Sequence, residues 1–234
     1  MKNLGQVIGI DIGGSKIRGV LWNGTRVLRT TELPTPGNTE GLIAVLAALV
    51  SRLHAPRVSR IGIGAAGTVK GTVLRSCTNI RYVKNLDLKR PFPRAALRLD
   101  NDARCFGRAE FLLGAGRRAN GVFALTLGTG IGRAYGAHAR IRKAGRFEYA
   151  ESWEKAYQKL RGEKLVAFLS NKLPKLLQPF NPKVLVIGGG VLAHKGFFEK
   201  LRAALRKKGV RFAIRRAKLG RNAVAIGAAL LFRR

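Results

Sequence analysis

The sequence predicts an α/β protein built as two lobes. Three observations carry that reading. An apolar run, Val7-Ile8-Gly9-Ile10, leads into Asp11-Ile12-Gly13-Gly14-Ser15-Lys16. A second apolar run over 122–127 leads into Gly128-Thr129-Gly130-Ile131-Gly132. Around them, short β-rich runs alternate with amphipathic stretches of helical length. Each lobe therefore opens on a strand that ends in a glycine turn. The division expected is 1–116 with 220–234 for the first lobe and 117–219 for the second.

The opening stretch reads as strand, tight turn, strand, because the β-rich run 17–22 follows at once and leaves no room for a helix. Paired glycines leave backbone N–H groups open, Ser15 adds a hydroxyl and Lys16 a charge, so the turn is able to hold an anion. Asp11 at its mouth is placed to hold a hydrated Mg²⁺. The same residues also make an ordinary Gly-Gly hairpin with Asp11 as a turn cap. Lys16 suits phosphate neutralisation and a solvated strand equally. A third strand follows over 26–32 and ends at Pro34-Thr35-Pro36. Thr39 reads as the N-cap of a helix to Leu53 that is apolar on much of its circumference, hence buried against a sheet.

Residues 60–65 form a short strand, and Ala66-Gly67-Thr68 a glycine turn at its C-terminal end, where open α/β sheets place ligands. Residues 69–74, broken by Gly71, suggest a small hairpin, and 75–93 reads as irregular. A strand over 97–99 runs into Asp100-Asn101-Asp102, and a helix over 103–113 closes at Gly114 and Gly116. The strand 122–127 and its turn are followed by a strand-like run, 133–137, and a basic segment, 138–146. Residues 153–177 are largely helical, as two helices meeting near Gly162. Then come a strand over 184–187 with Gly188-Gly189-Gly190, a helix over 196–208, a strand over 210–214 and a closing helix over 222–232.

Composition bounds the function. At 234 residues, 46% hydrophobic and 24% charged, the chain is that of a folded protein. No apolar run reaches the roughly 18 residues of a membrane helix, and no signal-peptide core opens the chain. Cys77 and Cys105 alone cannot make a disulfide framework or a Cys-rich zinc site, so the cytoplasm is the default. The anomaly is charge: 45 Lys and Arg against 12 Asp and Glu, a net +33. The cations are scattered, with the tightest clusters at Arg206-Lys207-Lys208 and at Arg215-Arg216 with Lys218. Most suit a solvated surface; a polyanion partner, polyphosphate or nucleic acid, is the second reading.

Neither glycine turn is a Walker A, and 128–132 lacks a full dinucleotide fingerprint. Two phosphate-sized turns on paired lobes nevertheless imply a nucleotide held in the cleft between them. With Gly62-Ile63-Gly64-Ala65-Ala66-Gly67, Asn101-Asp102-Ala103, the run from Val184 to Gly190 and Gly220-Arg221-Asn222-Ala223, the chain resembles the ROK family (repressors, open reading frames and sugar kinases). That family belongs to the hexokinase–actin–heat-shock-chaperone ATPases. The resemblance implies the two-lobed actin-like, ribonuclease-H-like ATPase fold and an ATP-dependent kinase for a hexose or N-acetylhexosamine.

In that reading Asp102 is the general base, kept ionised by its place at a helix N-terminus. The alternative for it is a helix cap. Gly67, Asn79, Asn101 and Glu148 bind sugar, though Asn79 also suits a plain turn. Gly13, Gly14, Ser15, Lys16, Gly128, Thr129 and Gly130 hold phosphates. Gly188, Gly189 and Gly190 let the adenosine approach, and Asp11 orients Mg²⁺ through water. The family's Glu-x-Gly-His and cysteine cluster have no counterpart beyond Glu148-Tyr149-Ala150-Glu151, so no structural zinc is expected. Glu148 and Glu151 could equally be helix N-terminal carboxylates. His54, His138 and His194 lack ligand spacing. The donor could also be polyphosphate, and a non-catalytic sugar-sensing protein is the remaining alternative, disfavoured because Asp102 is retained. The oligomeric state is open, a homodimer being one option.

Overall fold

The computed structural model describes residues 5–53, 58–138, 140–142 and 152–233. The chain divides into two compact units, Met1–Ala109 with Asn222–Arg234, and Glu110–Arg221.

In the first unit, β1 (Val7–Ile12), β2 (Lys16–Trp22) and β3 (Val27–Pro34) form an antiparallel meander. β4 (Arg60–Ala65) joins β1 in parallel, and β8 (Ala96–Asn101) joins β4 in parallel. The sheet order is β3-β2-β1-β4-β8. Strand alternation divides its faces. Ile8, Ile10 and Ile12 pack with Leu42, Leu46, Leu49 and Leu53 of α1 (Thr39–Leu53), all buried. Each such leucine contributes about 1.5–3 kcal/mol of burial. Gly9 points the other way, toward α6 (Ala223–Ala229), and a methyl group there would lie 1.9 Å from the Ala225 carbonyl oxygen. Gly62, paired in register with Gly9, would meet Ala228 O at 2.0 Å in the same way. Glycine at both positions lets the helix backbone lie directly on the sheet.

Some local expectations are corrected. Asn38, not Thr39, caps α1: its Oδ1 accepts the Gly41 N–H at 2.8 Å. The stretch read as irregular contains the end of β6 (Val73–Cys77) and all of β7 (Lys84–Asp87), which with β5 (Gly67–Lys70) make an antiparallel sheet. Four-residue β7 buries only Leu86, so no alternation marks it in the sequence.

The second unit repeats the same order. β9 (Val122–Leu127), β10 (Ile131–Ala137) and β11 (Arg140–Arg142) form an antiparallel meander. β12 (Val184–Gly188) pairs with β9 and β13 (Ala213–Arg216) with β12, both parallel. The resulting order, β11-β10-β9-β12-β13, matches that of the first unit strand for strand. α4 (Gly162–Leu177) and α5 (Phe197–Lys207) cover the sheet through Leu165, Leu169, Leu173, Leu201 and Leu205. α3 (Glu154–Lys159) precedes α4, and the break falls at Leu160 and Arg161, both extended, just before Gly162 with φ +53°. β13 begins three residues later than the sequence suggests, because the Val210 N–H returns to Leu205 O at 3.1 Å and closes α5. β11 lies in the segment read only as basic.

α2 (Asp102–Leu112) runs from one unit into the other. Near its end the fully buried Glu110 accepts backbone N–H groups from Ala115 at 2.7 Å, Lys218 at 3.0 Å and Leu219 at 2.8 Å. Among the described residues no helix is long and apolar enough to cross a membrane.

Candidate active site

The first unit gathers its polar residues where β1, β4 and β8 end. The Gly13 N–H closes the first turn onto Lys16 O at 3.1 Å, and Thr35 pins it: its hydroxyl donates to Gly13 O at 2.7 Å and its N–H to Ser15 O at 3.0 Å. Gly14 and Ser15 are exposed. The Lys16 ammonium is engaged with Glu32 at 2.6 Å, alongside Arg18, on the neighbouring strand. Asn79 stands against this turn, since a methyl group on Gly14 would lie 2.8 Å from its Cβ.

Asn101 ends β8 and caps α2, its Oδ1 accepting the Ala103 N–H at 2.9 Å, while its Nδ2 donates to Gly67 O at 3.4 Å. Gly67 and Asn101 are thus brought together. With Asn101 supplying the cap, Asp102 is not required for it. Asp102 opens α2, near enough for its charge to act on Asp11 of β1. Burial raises the Asp102 carboxyl above its ordinary range, and the Ala103 N–H at 2.8 Å offsets only part of that. The expectation that the helix start holds it ionised is therefore reversed in direction: desolvation outweighs the helix N-terminus. Behind it, buried Asp100 is held low by Arg108, at 2.6 Å, and Arg104.

Burial, with the Asp102 charge adding, pushes Asp11 up to about 7 against the pull of Arg18. Two buried carboxylates near enough for the charge of one to act on the other, their repulsion only partly offset by Arg18 and Arg104, suit a cation. A hydrated Mg²⁺, which binds through one or two carboxylates, fits this pair. The raised pKa also sets a stability effect. The folded chain holds the Asp11 proton more tightly than the unfolded one, so this stabilisation is present below about pH 4 and lost as pH rises through about 7. Metal-free wild type should lose thermal stability relative to Asp11→Asn over that window. Parallel melting curves for the two would contradict the assignment.

The second unit builds a separate cradle. β9 and β12 are parallel neighbours, and their turns, 128–130 and 188–190, emerge side by side at the strands' C-terminal ends. The Gly128 N–H closes the first onto Gly130 O at 3.0 Å. Gly189, with φ +100°, lies so close to β9 that a methyl group would stand 2.3 Å from Leu127 O. These turns open on a cavity of about 880 Å³ whose walls include Thr129, Tyr157, Arg161, Gly190, His194 and Phe197. The Tyr157 hydroxyl donates to Gly128 O at 2.8 Å, and burial pushes its pKa up to about 12, so it stays a donor. Beneath the turn, buried Arg133 pairs with Glu154. Sequence reasoning missed Tyr157, Arg133 and Glu154; Glu154 and Tyr157 stand in the first helix after the glycine turn and Arg133 on the strand that follows that turn, and no other signal marks them. Glu148, Glu151 and His54 lie outside the described residues. Among the described residues no three His, Cys, Asp or Glu side chains converge on one point.

The profile of the ROK family matches residues 7–145. A glucokinase from Streptomyces coelicolor is 30% identical over 139 residues, covering 55% of this chain and 43% of its own. The matched stretch thus spans less than half of that relative. An N-acetyl-D-glucosamine kinase from Haemophilus influenzae is 25% identical and covers 96% of this chain and 98% of its own. That alignment runs over 298 positions against a chain of 234 residues, so it carries long gaps on this chain's side. The crystal structure of a ROK hexokinase from Thermus thermophilus superposes with a TM-score of 0.79 at 26% identity, covering 97% of both chains. The fold is accordingly the two-lobed actin-like ATPase fold.

Proposed function

This chain belongs to the ROK family, and from that membership we propose that it transfers the γ-phosphoryl group of ATP to a hydroxyl of a hexose or N-acetylhexosamine. The observation that carries the reading is Asp102: a carboxylate at the start of a helix that another residue already caps, with its pKa raised toward the working range. Asn101, Asn79 and Gly67 offer amide and carbonyl groups for sugar hydroxyls. Glu148 is a further sugar ligand in this reading. Gly13, Gly14, Ser15 and Lys16 serve the phosphates from the first unit. Gly128, Thr129 and Gly130 do so from the second, with Gly188, Gly189 and Gly190 beside the adenosine.

Asp102 accepts the proton of the attacking hydroxyl, which raises the oxygen's nucleophilicity as it bonds to phosphorus and ADP departs. Mg²⁺, when bound, neutralises phosphate charge; Asp11 is the residue that would orient it through water. Backbone N–H groups of the glycine turns are suited to stabilise charge on phosphate oxygens. A cytoplasmic location accords with two free, buried cysteines.

Tyr157 holds the phosphate turn from behind through Gly128. Tyr157→Phe should raise the KM for ATP about fivefold, the equivalent of one hydrogen bond of about 1 kcal/mol. The KM for sugar should stay unchanged, and steady-state kinetics in both substrates would read the split. Equal changes in both would assign Tyr157 to general packing. The function itself is tested by ADP release across a panel of hexoses and N-acetylhexosamines crossed with ATP, GTP and polyphosphate. Sugar-dependent turnover with ATP is expected. Nucleotide hydrolysis indifferent to every sugar would reject it.

A further inference from the structure

The kinase reading leaves the charge unused. Residues 195–221 hold eleven Lys and Arg and one acid, Glu199, a density well above that of the whole chain. The two basic clusters that stand apart in sequence, around 206–208 and 215–218, meet in the fold. Arg202 and Arg206 of α5 and Arg215 of β13 line one groove of about 400 Å³ along the edge strand of the second sheet, with Glu199 of α5 the one carboxylate among its walls. Lys207, Arg211 and Arg216, close to these residues in sequence, are exposed as well. The groove is distinct from the Gly128 cavity, which takes Phe197 of α5 instead.

Three guanidinium groups here are held by carbonyls, and that of Arg202 lies over the Phe198 ring, 5.6 Å from its centroid. Arg206 donates to Val210 O at 2.7 Å, Arg215 to Ala115 O at 2.8 Å and Arg216 to Leu192 O at 2.7 Å. Carbonyls orient a cation but leave its charge. Among the described residues no ion pair joins these arginines or Arg202 to a carboxylate. A charged edge strand guards against sheet-to-sheet association, which accounts for Arg215 and Arg216. It does not account for Arg202 and Arg206, which sit on a helix.

We propose that this α5–β13 groove docks the phosphate backbone of a nucleic-acid duplex. Arg202 and Arg206 are one turn apart, about 6 Å along the helix. Cations fixed at such intervals on two rigid elements suit the fixed charges of a stiff duplex better than those of a flexible polyphosphate chain. Among the described residues no aromatic side chain lines the groove, which gives the unstacked bases of a single strand no platform there. Recognition is by charge, independent of base sequence.

The test is binding of a short labelled DNA duplex by fluorescence anisotropy as a function of salt. The triple variant Arg202→Gln, Arg206→Gln, Arg215→Gln should bind at least about tenfold more weakly at physiological ionic strength. It should also lower the slope of log K against log salt by about 2.7, the loss of three phosphate contacts. A matched triple at exposed cations of the first unit, Arg26→Gln, Lys70→Gln and Lys84→Gln, should change binding less than about twofold, since it removes equal charge without contacts. Replacing the three groove arginines by lysine keeps the charge and should retain most binding; melting curves verify that every variant is folded. Equal losses in the two Gln triples would overturn the groove. So would groove-dependent binding of polyphosphate with none of duplex.

Discussion

Asp102→Asn is expected to lower kcat by about 10²–10⁴-fold, the range that general acid–base catalysis contributes. KM values for sugar and ATP should stay within a few-fold. The amide preserves the shape of the carboxyl and the bond from the Ala103 N–H, so binding and α2 are retained. What is lost is the capacity to take a proton. Burial raises the carboxyl's proton affinity, which makes it a stronger base than an exposed aspartate. Because the substitution also removes a buried carboxylate whose charge acts on Asp11, the variant should be at least as thermally stable as wild type in the absence of metal. Unaltered kcat would remove Asp102 from the chemistry. A fall in both kcat and melting temperature would point to a structural role instead.

Gly227→Ala is expected to give the largest loss of stability. Its methyl group would lie 1.7 Å from Cys105 O and 2.4 Å from the carbon of the same carbonyl. Both obstacles are backbone, so no rotamer change relieves them and α6 has to move off α2. A cost of about 3 kcal/mol follows, the upper part of the overpacking range. For a chain of this size that lowers the melting temperature by roughly 6–12 °C. Gly37→Ala, with nothing within 4 Å of the added methyl group, is the control and should lie within about 0.5 kcal/mol of wild type. Comparable losses in both variants would mean that the close approach of α6 is not what stabilises the first unit.

How far this molecule can be read from its sequence depends on how local each feature is. The two glycine turns and the strand that delivers Asn101 and Asp102 are legible because a few adjacent residues supply their geometry. The strand-for-strand correspondence of the two sheets is not, since nothing in the residues of β1 and β9 repeats beyond an apolar run into glycine. Tyr157 and Glu154 reach the Gly128 turn from 29 and 26 residues away, the former by one hydrogen bond and the latter through Arg133 beneath it. Glu110 gathers two of its three N–H donors from more than a hundred residues downstream. Tyrosine and glutamate in amphipathic helices carry no signal of such partners. The cap of α1 was missed by one position, Asn38 for Thr39, because both residue types cap well. The direction of the Asp102 shift depended on burial, which one strand and one helix start cannot reveal. The meeting of the basic clusters along β13 depended on strand pairing in the same way.

The central claim is that phosphoryl transfer to sugar, and not nucleotide hydrolysis, is the reaction. The most direct measurement is ³¹P NMR of the products from ATP, Mg²⁺ and the sugar that gives the fastest ADP release. One sugar phosphate ester per ADP, with negligible inorganic phosphate, is the predicted result. Inorganic phosphate appearing with ADP and no ester resonance for any sugar would contradict it.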